Sequence, residues 1–60
     1  MNSNLTPNDV LGYRMRAGLT QSDMAKLMGV SLRTWTRWER GEIPVPEVAA
    51  KLMARMEEVR

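Results

Sequence analysis

The 60-residue chain has no cysteine and no histidine. Without cysteine there are no disulfide bridges, which fits a reducing cytosol, and without both residue types the usual zinc ligands are missing. A chain of this length buries only about 60% of the surface that it exposes when unfolded, so its stability is marginal. Either a well-packed helical core or a second copy of the chain is therefore expected to stabilise it.

Long apolar runs are also missing. No stretch approaches the roughly 20 apolar residues of a membrane span, and the first four residues lack the basic and then apolar order of a signal peptide. The sequence also has no carboxylate pair suited to a catalytic cleft. We therefore expect a cytoplasmic protein that is not an enzyme, with no membrane attachment, metal, cofactor or small-molecule ligand.

Charge is unevenly distributed along the chain. The net charge is only +2, but six basic residues stand against two acidic ones between positions 14 and 40, whereas acidic residues predominate after position 41. A concentration of positive charge in one segment is typical of a nucleic-acid-binding surface. A solvated helix face is the simpler interpretation of charge alone.

Start and stop signals divide the chain into four helices, at about 7–17, 21–28, 32–40 and 46–59. A hydroxyl residue precedes each of the first three helices, and a glycine follows each; the hydroxyls are Thr6, Thr20 and Ser31, and the glycines are Gly18, Gly29 and Gly41. No segment has the alternation of a strand. The sequence therefore predicts one compact all-α domain over residues 1–60.

Helical spacing predicts which side chains form the core. The inward residues expected on the first three helices are Val10, Tyr13 and Ala17; Met24, Ala25 and Met28; and Trp35 and Trp38. The two tryptophans could instead stack on bases, as aromatic side chains do with single strands. Their spacing relative to Met28 and Val30 favours the core.

Residues 21–41 have the spacing of a helix-turn-helix. Ala25, at the fifth position, is small where the two helices would cross, and Gly29, at the ninth, can take the positive φ of the turn. A helical hairpin without any DNA role would explain both of these residues. It would not explain Arg33 and Arg37, which lie four residues apart on the outward side of helix 3.

Residues 18–41, GLTQSDMAKLMGVSLRTWTRWERG, resemble the helix-turn-helix of the lambda-repressor-like (Cro/C1, XRE) DNA-binding family. The similarity extends from Arg14 through helix 4 and implies a domain of four helices, or of five as is common in the family. Trp35 departs from the pattern, since the family usually has isoleucine or valine there, and the larger side chain would re-tilt helix 3. Small proteins of this family are typical of phages and mobile elements. Residues 33–46 are also similar to regulators that accompany anti-CRISPR genes.

The resemblance implies a set of DNA-contacting residues. Base contacts are expected from the N-terminal and outward side of helix 3, at Leu32, Arg33, Thr36 and Arg37. Arginine suits the O6 and N7 acceptors of guanine, and leucine suits a thymine methyl group. The alternatives are a phosphate contact or a solvated face for the arginines, packing on its own helix for Leu32, and a neutral surface position for Thr36.

Other residues are expected to position the domain. Phosphate contacts are expected at Gln21, Ser31, Thr34, Arg40 and Arg14. The resemblance also implies a salt bridge between Arg14 and Glu39, which would tie helix 1 to the end of helix 3.

Helix 4 has more apolar residues than one inward stripe needs. We expect Val48, Leu52 and Met56 to fill the core, which leaves Ala50, Met53 and Val59 for a second chain. The leading hypothesis is therefore a sequence-specific transcriptional regulator, most simply a repressor, that binds a palindromic double-stranded operator as a homodimer. The alternative is an antitoxin-type module that binds a toxin and autoregulates its own operon.

Overall fold

The computed structural model describes residues 4–58, which form four α-helices joined by short loops. The helices are α1 (Pro7–Ala17), α2 (Gln21–Met28), α3 (Leu32–Arg40) and α4 (Glu47–Glu58). The described residues contain no β-strand, so the all-α prediction is confirmed. The bounds of α1 to α3 are as predicted, and α4 begins one residue later than expected. Within residues 4–58, no helix is both long enough and apolar enough to cross a membrane.

Hydroxyl side chains start the first three helices. Thr6 accepts a hydrogen bond from the backbone N–H of Asp9 at 3.2 Å, and the Asp9 carboxylate accepts one from the backbone N–H of Thr6 at 3.0 Å. Thr20 caps α2 by accepting from the backbone N–H of Asp23 at 3.1 Å. Each cap satisfies an amide that has no partner within the first turn of its helix.

Two glycines fix how α3 joins the rest of the domain. Gly29 has φ +73° and turns the chain from α2 into α3, and Gly41 has φ +75° and ends α3. A Cβ atom on Gly41 would also lie only 2.8 Å from Cγ of Pro7. Side chains other than glycine would strain the backbone at both positions. Both ends of α3 are therefore held in place, the second end against the start of α1.

The core lies between the four helices and is built around two tryptophans. Trp35 is fully buried and Trp38 is 4% exposed, and their rings meet edge to face with centroids 5.8 Å apart. Such aromatic pairs add stability beyond the area that they bury. The other buried side chains are Val10, Met24, Ala25, Met28, Val45 and Met53. The tryptophans are core residues, as the spacing predicted, and are not available to stack on bases.

The predicted inward face of α4 is wrong at Val48 and Leu52, whereas Met56 is half-buried against the core as expected. Met53 is 1% exposed and lies in the core, whereas Val48 is 79% exposed and Leu52 is 40% exposed. Met53 therefore cannot supply the interface to a second chain that the sequence suggested, because its side chain is enclosed within its own domain. Ala50 is half-buried. Val59, the third residue expected at that interface, lies outside the described residues.

Candidate nucleic-acid interface

The outward side of α3 presents the four residues expected to contact bases, which we call the recognition face: Leu32, Arg33, Thr36 and Arg37. At 100° per residue these positions span about 140° of the helix surface, on the side away from Trp35 and Trp38. Leu32 is 47% exposed, and Arg33 is exposed as well. Because the tryptophans anchor the opposite side of α3 in the core, the recognition face is held towards solvent.

The four side chains of the recognition face differ in their hydrogen bonds. The Thr36 hydroxyl donates to the backbone carbonyl of Arg33 at 2.9 Å, so its hydrogen is already used within the helix. Nε of Arg37 donates to Oε1 of Glu42 at 3.4 Å. Within residues 4–58, Arg33 forms no ion pair. The arginines are therefore the strongest potential donors on this face, and Arg33 is the less restrained of the two.

A partly buried carboxylate joins three helices behind this face. Glu39 on α3 accepts from Arg14 on α1 through Nε at 2.6 Å and Nη2 at 3.3 Å, and from Nε2 of Gln21 on α2 at 3.2 Å. It also accepts from the indole N–H of Trp35. The salt bridge between Arg14 and Glu39 that the resemblance implied is thus present, with side chains only 17% and 8% exposed. We call these four residues the Glu39 cluster.

The Glu39 cluster shifts the titration of its carboxylate. Burial by itself would raise the pKa of Glu39, but hydrogen bonds from Arg14, Gln21 and Trp35, together with the positive charge of Arg14, outweigh it. The net result is a pKa below the ordinary value of 4.5. The Glu39 carboxylate is therefore ionised at neutral pH.

Two residues expected to contact phosphate belong to the Glu39 cluster. Nη1 of Arg14 donates to the backbone carbonyl of Leu19 at 3.1 Å, so each of the three guanidinium nitrogens of Arg14 already donates within the protein. These bonds give Arg14 a structural role and use three of its five N–H donors, and its phosphate contact stays a prediction. The Gln21 side chain is likewise turned towards Glu39. Its backbone N–H, at the start of α2, is the group that remains suited to a phosphate.

The remaining residues predicted to contact phosphate lie at the two ends of α3. Ser31 caps the helix by accepting from the backbone N–H of Thr34 at 3.1 Å, and its hydroxyl donates to Oγ1 of Thr34 at 3.0 Å. Thr34 thus keeps its own hydroxyl hydrogen. Arg40 is 72% exposed, with Nη1 lying 3.6 Å from Oε2 of Glu42. Polar donors therefore flank the recognition face at both ends.

Sequence reasoning missed Glu42 and the indole bond of Trp35. Glu42 follows the glycine that ends α3, so helical spacing gave no reason to place its carboxylate beside Arg37 and Arg40. Trp35 was expected only to fill space, yet its N–H joins α3 to the Glu39 cluster. The one available signal was the unusual tryptophan itself, since a buried indole N–H generally needs an acceptor.

A family model described as a helix-turn-helix domain matches residues 12–57. This match covers most of the chain and includes the whole Glu39 cluster and recognition face. The chain belongs to the helix-turn-helix domain family, which confirms the prediction from residues 21–41 and indicates a DNA-binding regulator. No curated protein and no solved structure matches the chain.

Proposed function

We propose that this chain is a sequence-specific transcriptional regulator that binds double-stranded DNA as a homodimer, with α3 in the major groove, and represses by occupying a palindromic operator. The single observation that carries the proposal is the recognition face. Two arginines and an exposed leucine project from a helix whose other side is packed in the core through Trp35 and Trp38. A rigidly held helix with outward arginines suits the width and the acceptors of the major groove.

In the proposed mechanism, one set of residues positions α3 on the DNA backbone and another set recognises the bases. The backbone N–H of Gln21, the Thr34 hydroxyl and Arg40 lie around the recognition face and would bind phosphates, which fixes the register of α3 but carries no sequence information. Arg33 and Arg37 would then read guanines, and Leu32 a thymine methyl group. Because the Glu39 cluster joins α1, α2 and α3, these contacts are made by one pre-organised unit.

Repression is the simplest outcome of such binding. The described residues carry a recognition face suited to DNA, and occupying an operator excludes polymerase from the same DNA. No additional surface is needed for this action. The simplest such operator lies in the promoter of the regulator's own gene.

The salt dependence of DNA affinity tests whether the chain binds DNA at all. If a dimer makes six or more phosphate contacts, affinity should fall about 10³-fold between roughly 50 and 200 mM salt, because each contact releases a counterion. Arg40→Ala should reduce the slope, whereas Arg55→Ala on α4 should leave it unchanged. Fluorescence anisotropy with a labelled duplex measures both. A purified, folded chain without affinity at 50 mM salt would contradict the proposal and favour the protein-interaction role of the antitoxin alternative.

The proposed homodimer is expected to form through the exposed apolar face of α4, at Val48 and Leu52, and not through Met53. Val48→Glu combined with Leu52→Glu should convert the dimer to a folded monomer, because two charges would be buried at the interface. Met15→Glu is a matched control, since Met15 is 66% exposed but lies on α1. Sedimentation equilibrium reports the mass, and circular dichroism confirms folding.

Two results would contradict this interface. A double variant that stays dimeric would move the interface elsewhere, and a wild-type chain that is monomeric at micromolar concentration would remove the homodimer. In the second case, the same exposed apolar face would favour a protein partner of another kind, as the antitoxin alternative requires.

A further inference from the structure

We propose that Glu42 is a positioning residue that aims the guanidinium of Arg37 at a guanine and thereby raises the sequence specificity of the domain. The proposal rests on the proposed function and adds a residue to it. Glu42 lies outside α3 and outside the recognition face, and it would act through Arg37 without touching a base.

The backbone holds Glu42 in a defined place beside the last turn of α3. Its N–H donates to the backbone carbonyl of Arg37 at 2.9 Å, which closes the helix end in the manner of a Schellman motif. Gly41, which precedes it, takes φ +75° and abuts Pro7. Because these constraints fix the Glu42 backbone relative to Arg37 itself, the carboxylate starts from a fixed point next to that side chain.

The carboxylate contacts two arginines with its two oxygens. Oε1 lies 3.4 Å from Nε of Arg37, and Oε2 lies 3.6 Å from Nη1 of Arg40. The bond to Glu42 uses Nε of Arg37. The two terminal nitrogens of Arg37 therefore remain as a pair of donors that matches O6 and N7 of guanine. Arg40 is more exposed and further from Glu42, so it can exchange this contact for a phosphate.

A carboxylate at this position has two opposite effects on DNA binding. It repels phosphates, so it lowers the affinity for DNA of any sequence. It also restricts a long, flexible side chain to fewer orientations, so less conformational entropy is lost when Arg37 meets its base. Together, these effects lower the affinity for random DNA and preserve the affinity for the preferred sequence. The ratio of specific to random affinity therefore rises.

The test compares Glu42→Ala with the wild type on two duplexes of equal length: the sequence that the wild type prefers in a selection, and a random sequence. Glu42→Ala should bind the random duplex more tightly, while the ratio of specific to random affinity falls roughly two- to fivefold, as expected for loss of one exposed ion pair. Glu47→Ala is the matched control. Its carboxylate is 43% exposed against 44% for Glu42, but it pairs with Lys51 on α4. This control should leave the ratio unchanged.

Glu42→Ala in an Arg37→Ala background tests whether Glu42 affects specificity through Arg37. If Glu42 acts through Arg37, Glu42→Ala should no longer change the ratio in that background. An equal gain on both duplexes in the wild-type background would reduce Glu42 to a repelling charge and overturn the proposal. A ratio that falls equally with and without Arg37 would also overturn it. If the wild type bound neither duplex, the proposed function itself would fail, which is a different result from either of these.

Discussion

Replacing Arg37 by alanine is expected to weaken binding to the preferred duplex by roughly 5- to 150-fold, which corresponds to about 1–3 kcal/mol for one bidentate contact to a base. Binding to a random duplex should weaken only a few-fold, because there Arg37 contributes charge alone. The side chain is 41% exposed at the outward side of α3, so its removal should not affect folding. Competition titrations with the two duplexes give the ratio directly.

Arg55→Ala is the matched control for this prediction. It removes the same side chain from α4, away from the recognition face. Its affinity for the preferred duplex and its affinity for the random duplex should each change by no more than about twofold. An equal loss on both duplexes in Arg37→Ala would contradict base reading by Arg37 and leave it a phosphate contact.

Replacing Glu39 by alanine is expected to lower the free energy of unfolding by about 3 kcal/mol, because the partly buried Arg14 loses its carboxylate partner. The indole N–H of Trp35 and the amide of Gln21 would lose their acceptor at the same time. A 60-residue domain has only about 3–9 kcal/mol of stability in total. The variant should therefore be largely unfolded or should melt some 10–20 °C lower.

Urea denaturation followed by tryptophan fluorescence measures this loss, since Trp35 lies within the Glu39 cluster. Glu47→Ala removes an exposed carboxylate and should cost less than about 1 kcal/mol. A loss below 1 kcal/mol for Glu39→Ala as well would show that the cluster does not hold the three helices together.

The lowered pKa of Glu39 makes its contribution to the free energy of unfolding dependent on pH. A carboxylate whose pKa is lower in the folded state stabilises the fold above its unfolded-state pKa, and this stability is lost as the pH falls through the folded-state pKa. The difference in stability between the wild type and Glu39→Gln should therefore be constant near neutral pH and shrink below about pH 4.5. A difference that does not change between pH 7 and pH 3 would contradict the titration of Glu39.

Helix boundaries could be predicted from the sequence because they depend on local chemistry. Thr6, Thr20 and Ser31 each bond an amide three residues further on, and glycine at 29 and 41 supplies the positive φ that ends a helix. These interactions need no information from distant parts of the chain. The turn between α2 and α3, and with it the helix-turn-helix, followed from the same local signals.

The inward face of α4 could not be predicted in the same way. Val48, Leu52 and Met56 form one apolar stripe, Ala49, Ala50 and Met53 lie beside it, and helical periodicity allows either set to face the core. The choice depends on how the long side chain of Met53 fits among the buried residues of the other helices, which is a property of the packed domain. Met53, one of the residues predicted for an interface to a second chain, therefore lies in the core.

The exposed residues of the candidate site could be predicted from the sequence. Some of the hydrogen bonds and ion pairs that they and their neighbours form could not. The periodicity of α3 placed Arg33 and Arg37 opposite the tryptophans, as the structure shows. The pairing of Arg37 with Glu42 crosses the end of a helix, so no periodic rule covers it. The same holds for the joining of Gln21 to Glu39, which depends on how α2 crosses α3.

Selection of binding sites from random duplex DNA by the wild-type chain is the measurement that tests the central claim most directly. The proposed function predicts enrichment of a palindrome whose half-sites are centred about 34 Å apart, with guanines at the positions that Arg33 and Arg37 reach. Failure to enrich any sequence over the starting pool, under salt conditions in which the chain is folded, would contradict it.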